Sequence, residues 1–336
     1  MSNMLLLHIG TPKTGTSSIQ HALHCNEEKL REYGWIYPDL KAELNDIRDY
    51  ASNPEKNGNI FYKGTKLYEK DNTEWRRISD KLDSFLDRGN VILSAEEIYE
   101  YDTDSFIWRM TEHSPNIKIL VYLRRQDLYV ESRWNQIVKD DRCYQGTFNQ
   151  YVEESDRWDE GHYLEKLEKM SDIIGKENIT IRVYEQGQLL NGNAVEDFFQ
   201  TIGIKGYADK ERGKHGNDSL EGELIEVKRA INQIYDVQKY GTSRAWSDVL
   251  KRVYMKTPDS ARGGRSYFSP NERSKYLSQY EDENREIAYS FLHRDDGKLF
   301  FDEIVNFPKS DYEISDVMQM AIQELMKEVF ERMIKS

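Results

Sequence analysis

Two cysteines, Cys25 and Cys143, stand in a chain of 336 residues. So few thiols exclude a disulfide framework, and their separation excludes any clustered metal-ligand spacing, as expected of a protein of the reducing cytoplasm. Long apolar runs are missing too. The N-terminal stretch Met4 to Ile9 falls far short of the roughly 20 residues of a spanning helix and lacks the basic flank of a signal peptide. It reads as a buried strand. Positive charge is in short supply, 47 Lys and Arg against 60 Asp and Glu, a formal net charge of −13. Such a field repels polyanions, so nucleic acid is not an expected partner and any phosphate site must be local. There is no internal repeat and no low-complexity run.

What is present is a globular composition, 38% hydrophobic and 32% charged, in a chain long enough to hide roughly 75% of its unfolded surface on folding. Five apolar β-type runs stand out: Leu5 to Ile9, Trp35 to Tyr37, Val91 to Leu93, Ile119 to Leu123 and Ile179 to Val183. Short apolar runs alternating with helical stretches predict an α/β fold, a parallel five-stranded sheet flanked by helices with its sites at the strand C-termini. Residues 41–74 are polar, carry Asn53-Pro54 and Asn57-Gly58, and predict a loop-rich insertion. Beyond Gly206 the strands stop. Leu220, Leu224, Val227, Ile231 and Ile234 recur at helical spacing, as do Val317, Ile322, Leu325, Val329 and Ile334. The expectation is an α/β core over residues 1–206 with a mainly helical C-terminal cover over 207–336, both in one domain.

The strongest signal follows the first strand, where Ile9-Gly10-Thr11-Pro12-Lys13-Thr14-Gly15-Thr16-Ser17-Ser18 leads into a helix whose apolar face begins with Ile19, Ala22 and Leu23. Free backbone N–H groups at a helix start, with the helix dipole behind them, form an anion site. The hydroxyls of Thr14, Thr16, Ser17 and Ser18 add donors. The Gly10 to Gly15 spacing copies the phosphate loop of ATPases, yet Thr16 stands where their lysine follows the second glycine. The lysine is moved forward to Lys13, where its ammonium faces charge appearing on a leaving oxygen. A second element lies at the end of the fourth strand, Val121-Tyr122-Leu123-Arg124-Arg125, with Ser132 eight positions on in the next helix. A strand-end arginine and a helical serine at this spacing make a pincer for a second phosphate.

Both elements resemble those of sulfotransferases that use 3′-phosphoadenosine 5′-phosphosulfate (PAPS). The Pro12-Lys13-Thr14-Gly15-Thr16-Ser17 loop is similar to that family's 5′-phosphosulfate loop, and Arg124 with Ser132 to its 3′-phosphate motif. Tyr-Leu-Arg-Arg-Gln-Asp at 122–127, Ile-Arg-Val-Tyr-Glu at 181–185 and the segment Phe198 to Ile204 most resemble bacterial members, many associated with surface glycans. The resemblance implies PAPS as co-substrate without a metal. The implied reaction is in-line transfer of the sulfuryl group to a hydroxyl, less readily an amine, of a small-molecule or glycan acceptor. It implies that Thr11, Pro12, Lys13, Thr14, Gly15, Thr16 and Ser17 hold the nucleotide and that Lys13 supports its departing oxygen. A fainter echo, Arg262-Gly263-Gly264-Arg265, corresponds to a basic glycine loop that closes over the 3′-phosphate, with a solvated turn as the alternative.

Such a transfer needs a base for the acceptor. Leu93-Ser94-Ala95-Glu96-Glu97-Ile98 puts a carboxylate at the sheet edge between the two phosphate elements, where related enzymes carry a catalytic Glu or His, and Glu96 is the expected base. Glu97 is its rival, and the same pattern also suits a helix-start acid behind a Ser94 cap. His8 reads as a core histidine, while His162 and His215 lie in polar segments. Tyr62, Tyr68, Tyr99 and Trp134 are candidates to line a sugar cleft. Two other classes of function remain at this point. A phosphate-loop kinase needs the missing lysine and a strand aspartate for magnesium, and a non-catalytic nucleotide-binding module needs no Lys13.

Overall fold

The computed structural model describes residues 2–11, 13–38, 73–100, 103–155, 161–209, 223–234, 243, 245–248, 250 and 267–304. All five expected strands form, as β1 Leu5–His8, β2 Trp35–Ile36, β3 Asn90–Ser94, β4 Ile117–Leu123 and β5 Ile179–Val183. They make one parallel sheet in the order β2-β3-β1-β4-β5. Parallel neighbours require crossover connections, and these connections cover both faces, which is why the strands are apolar throughout rather than alternating. Leu5, Leu7 and Ile9 of the first run face a core shared with Val91, Leu93, Ile119 and Val121. That face is covered by α3 (Thr73–Leu86), α5 (Thr103–Thr111), α8 (Tyr163–Ile174) and α12 (Glu281–Ser290). Leu6, Ile92, Leu120 and Tyr122 point the other way, against α1 (Thr16–Cys25) and α9 (Ala194–Thr201). Each fully buried leucine contributes about 1.5–3 kcal/mol by leaving water.

Packing divides the chain into two compact units that interleave in sequence. The first comprises Met1–Arg125, His162–Arg212 and Tyr280–Asp302, and holds the sheet. The second comprises Gln126–Gly161, Gly213–Gln279 and Glu303–Ser336. Its described helices are α6 (Gln126–Lys139), α7 (Phe148–Ser155), α10 (Glu223–Ile234) and α11 (Pro270–Ser278). Among the described residues no strand follows β5. Ile287 and Ala288 of α12 lie in the sheet core, and α6 packs with α10 and α11.

Within the second unit the α6 C-terminus is held by polar side chains. Lys228 of α10 is fully buried and its Nζ donates to Val138 O (3.2 Å), Asn232 Oδ1 (2.5 Å) and Ser243 Oγ (3.1 Å). Arg273 of α11 bridges Asp127 and Glu131 of α6. The insertion expected over 41–74 lies outside the described residues, except that Thr73 and Glu74 open α3. Leu220 and the periodic residues Val317 to Ile334 lie outside them as well.

Candidate active site

The loop after β1 is built around its own backbone. Thr11 is pinned to the neighbouring strand, its N–H and Oγ1 both donating to Tyr122 O (3.2 and 2.9 Å). The Thr14 hydroxyl donates back to Thr11 O at 2.7 Å. Lys13 (φ 69°) and Gly15 (φ 79°) both take left-handed backbone conformations. For glycine this is free of strain, whereas for lysine it costs about 1–2 kcal/mol, so the surrounding contacts hold Lys13 there. Gly10 is required for a different reason. A Cβ there would stand 2.7 Å from Thr16 Oγ1 and 2.9 Å from Thr14 Oγ1.

Gly15 occupies the cap position of α1 and offers no side-chain acceptor to the first turn, which contains no acidic residue either. A helix start of this kind favours negative charge. Ser17 is exposed and Ser18 half-buried, while Thr16 is 2% exposed. Its Oγ1 has no hydrogen-bond partner among the described residues. A buried hydroxyl in that condition, at an uncapped helix start, fits a phosphate or phosphosulfate oxygen.

Arg124, one residue past the end of β4, reaches this loop. Its Nη1 donates to Lys13 O at 2.9 Å, and its guanidinium lies 5.8 Å from the centre of the Tyr184 ring. The Arg124 carbonyl in turn accepts the Tyr163 hydroxyl at 2.7 Å. The loop after β1 and the strand-end Arg124, some 110 positions apart in sequence, are thus brought side by side because β1 and β4 are neighbours. Arg125 is buried and donates to Asp302 O, a structural tie. Ser132 is half-buried on α6, in the second unit. Tyr267 N–H donates to Glu131 Oε1 at 3.0 Å in the same unit. Pro12, Arg262, Gly263, Gly264 and Arg265 lie outside the described residues.

Glu96 follows β3 on the other flank of β1. The register pairs His8 with Ser94, and Ala95 N–H donates to His8 O at 3.1 Å, which sets Glu96 at the same sheet edge as the loop. It is half-buried, and its carbonyl accepts Tyr99 N–H at 3.0 Å. Glu97 opens the short helix α4 (Glu97–Glu100). Ser94 ends the strand, and its Oγ lies 2.8 Å from His8 Nδ1 and accepts from Gln20 Nε2 at 3.1 Å.

Among the histidines, burial pushes His8 down to about 3, so it is neutral. His162 pairs through Nδ1 with Glu283 Oε1 at 2.5 Å. His215, Tyr62 and Tyr68 lie outside the described residues, and Tyr99 and Trp134 are core residues. Two site neighbours, Tyr184 and Gln20, were not singled out in the sequence, and Ser94 was read there only as a helix cap. The Tyr184 ring lies 3.4 Å from where a Gly15 Cβ would be. Its signal was the strand-end position in Ile-Arg-Val-Tyr-Glu, one strand from Arg124.

The fold is α/β, with a glycine-bounded loop leading from the first strand into α1. No protein-family model matches the chain. An uncharacterized protein of Archaeoglobus fulgidus is 27% identical over 219 residues, 64% of this chain and 57% of that protein. Human EF-hand calcium-binding domain-containing protein 13 is 22% identical over 224 residues, 63% of this chain and 21% of that protein. The chain thus spans less than two thirds of the length of either relative. A sulfotransferase crystal structure from Alicyclobacillus acidocaldarius aligns with a TM-score of 0.39 and 17% identity, over 78% of this chain and 99% of that one. Among the described residues, no helix is long and apolar enough to cross a membrane, and no group of three or more His, Cys, Asp or Glu side chains is placed to hold a metal ion.

Proposed function

We propose that this protein is a sulfotransferase that moves the sulfuryl group of PAPS to a hydroxyl, less readily an amine, of a carbohydrate or glycoconjugate acceptor in the cytoplasm. The observation that supports this reading is the hydrogen bond between Arg124 and Lys13 O, which joins the two elements read as anion sites at one end of the sheet. A nucleotide phosphorylated at both its 5′ and 3′ positions matches two adjacent anion sites. ATP, with all its phosphates in one chain, matches only the first. The residue after Gly15 is Thr16 rather than lysine, and none of the described strands ends in the aspartate that a magnesium-dependent kinase needs.

In this reading the α1 N-terminus, Thr14, Thr16 and Ser17 bind the 5′-phosphosulfate and Arg124 binds the 3′-phosphate. Ser132 and the Arg262 to Arg265 segment contribute as the family resemblance implies. PAPS supplies an activated sulfuryl group with a good leaving group. Lys13 offers its charge to the oxygen on which negative charge accumulates, an effect that is largest in the transition state. Glu96 takes the acceptor proton.

The test is a screen of hydroxylated acceptors with PAPS, read by release of adenosine 3′,5′-bisphosphate and sulfated product. Larger thermal stabilisation by magnesium ATP than by the bisphosphate, accompanied by ATP turnover, would replace this reading with the kinase.

A further inference from the structure

Leu123 and Val183 close the β4–β5 ladder, and Tyr184 N–H extends it by donating to Leu123 O at 2.7 Å. Successive side chains of an extended chain point to opposite faces. Arg124 and Tyr184 accordingly lie together on the side of the loop after β1, with the guanidinium 5.8 Å from the ring centre. Arg125 and Glu185, one position further on, meet residues 301 and 302 instead. The two residues before these, Leu299 and Phe300, pack with the opposite core.

Arg125 and Glu185 grip one stretch of backbone between them. Glu185 is 4% exposed, and its carboxylate accepts Phe301 N–H at 2.8 Å and Asp302 N–H at 3.2 Å. Arg125 Nη1 donates to Asp302 O at 2.5 Å. Gln188 completes the grip: its Nε2 donates to Glu185 Oε2 at 2.6 Å and to Leu299 O at 3.0 Å, and its Oε1 accepts Arg294 Nη2 at 2.6 Å. Burying a carboxylate is costly unless donors compensate it, and here three N–H donors do so. Among the described residues, the hydrogen bonds of this carboxylate go to residues 188, 301 and 302 and not to the loop. An uncharged amide could not replace it, because its one oxygen accepts while its NH2 turns toward N–H groups that need an acceptor.

We propose that Glu185 is a positioning residue of the nucleotide site. By fastening residues 301 and 302 to the ends of β4 and β5, together with Arg125, it fixes the direction in which Tyr184 and Arg124 leave the sheet, and so holds the Arg124 guanidinium for the 3′-phosphate. This role rests on the reading of Arg124 as a 3′-phosphate ligand. It acts through the neighbouring residues, so its effect falls on the preference for a 3′-phosphorylated nucleotide over one without that group.

The experiment is calorimetric titration of adenosine 3′,5′-bisphosphate and of AMP into folded wild type and variants, with Tm measured beside it. Glu185→Gln keeps the shape of the side chain and should weaken the bisphosphate about tenfold, one hydrogen bond's share, while AMP stays within about twofold. With Arg124→Ala already in place, Glu185→Gln should cost the bisphosphate no more than it costs AMP. Met110→Ala, which opens a cavity in the core under α5, should lower Tm and leave the nucleotide preference unchanged.

A wild-type preference that survives Glu185→Gln, or additive losses in the double variant, overturns the proposal. Loss of the preference in Met110→Ala overturns it too, because selectivity would then follow general stability. If Glu185→Gln does not fold, Gln188→Met decides: it withdraws one of the three donors and should reduce the preference about threefold, and an unchanged preference overturns the proposal. Wild-type protein that shows no preference for the bisphosphate over AMP overturns the 3′-phosphate reading itself, and this is seen before any substitution is made.

Discussion

Arg124→Ala separates a 3′-phosphate site from a merely structural arginine. In the present structure the guanidinium is half-buried and donates to Lys13 O at 2.9 Å. Two losses follow from its removal, and they differ in which ligand feels them. A charge-assisted contact to the 3′-phosphate is worth about 1.5–3 kcal/mol, which weakens adenosine 3′,5′-bisphosphate roughly ten- to a hundredfold. The loss of the donor to Lys13 O loosens a residue held in a left-handed conformation, at about 0.5–1.5 kcal/mol, and every ligand of the loop feels it equally. AMP, which lacks the 3′-phosphate, should therefore weaken by only the smaller amount. Calorimetric titration of both nucleotides into folded wild type and variant gives the ratio directly. If the preference for the 3′-phosphorylated ligand is the same in both proteins, Arg124 serves the loop alone and the second anion site is removed from the reasoning.

Lys13→Ala should lower kcat by about 10²–10³ while changing bisphosphate affinity much less, because its charge acts on the developing leaving-group oxygen; steady-state kinetics beside calorimetry test the split. Glu96→Gln should preserve nucleotide binding and reduce kcat/KM with a hydroxyl acceptor by about 10²–10⁴. A variant with normal turnover would move the base to Glu97. Burial lowers Lys228 from 10.5 to about 8, so between these values the unfolded chain holds a proton the folded one has shed. Its contribution to stability is complete above the upper value and is lost as the pH falls through the lower one. Wild type should accordingly gain in Tm relative to Lys228→Met on going from about pH 7.5 to about pH 10, and a constant difference would refute a neutral folded lysine.

The sheet was readable in advance because parallel strands are buried on both faces, and unbroken apolar runs such as Ile119 to Leu123 leave few other homes. Strand ends were less readable. Asn90 and Ser94 belong to β3 by pairing rather than by polarity. The loop was legible since its chemistry is local, a glycine-bounded turn feeding a helix. What surrounds it was not, because Gln20, Ser94 and Tyr184 arrive by register across strands. The imidazole of His8 looked like an ordinary core histidine, and only the burial of an unpartnered Nε2 sets it apart. Division into units was equally hidden, since nothing local to α12 shows that Ile287 packs in the sheet core.

The interleaving of the two units bears on how the protein is made. The sheet-bearing unit closes only with residues Tyr280–Asp302, whereas its first strand ends at His8. On a ribosome adding about 5–20 residues per second, its N-terminal strands wait on the order of tens of seconds before their last covering helix emerges. During that interval the face destined for Ile287 and Ala288 stays open to water and to other nascent chains. Synthesis of this protein therefore places its greatest demand on chaperones late, after all five strands have been translated, and a chain stopped at residue 206 would retain that demand permanently.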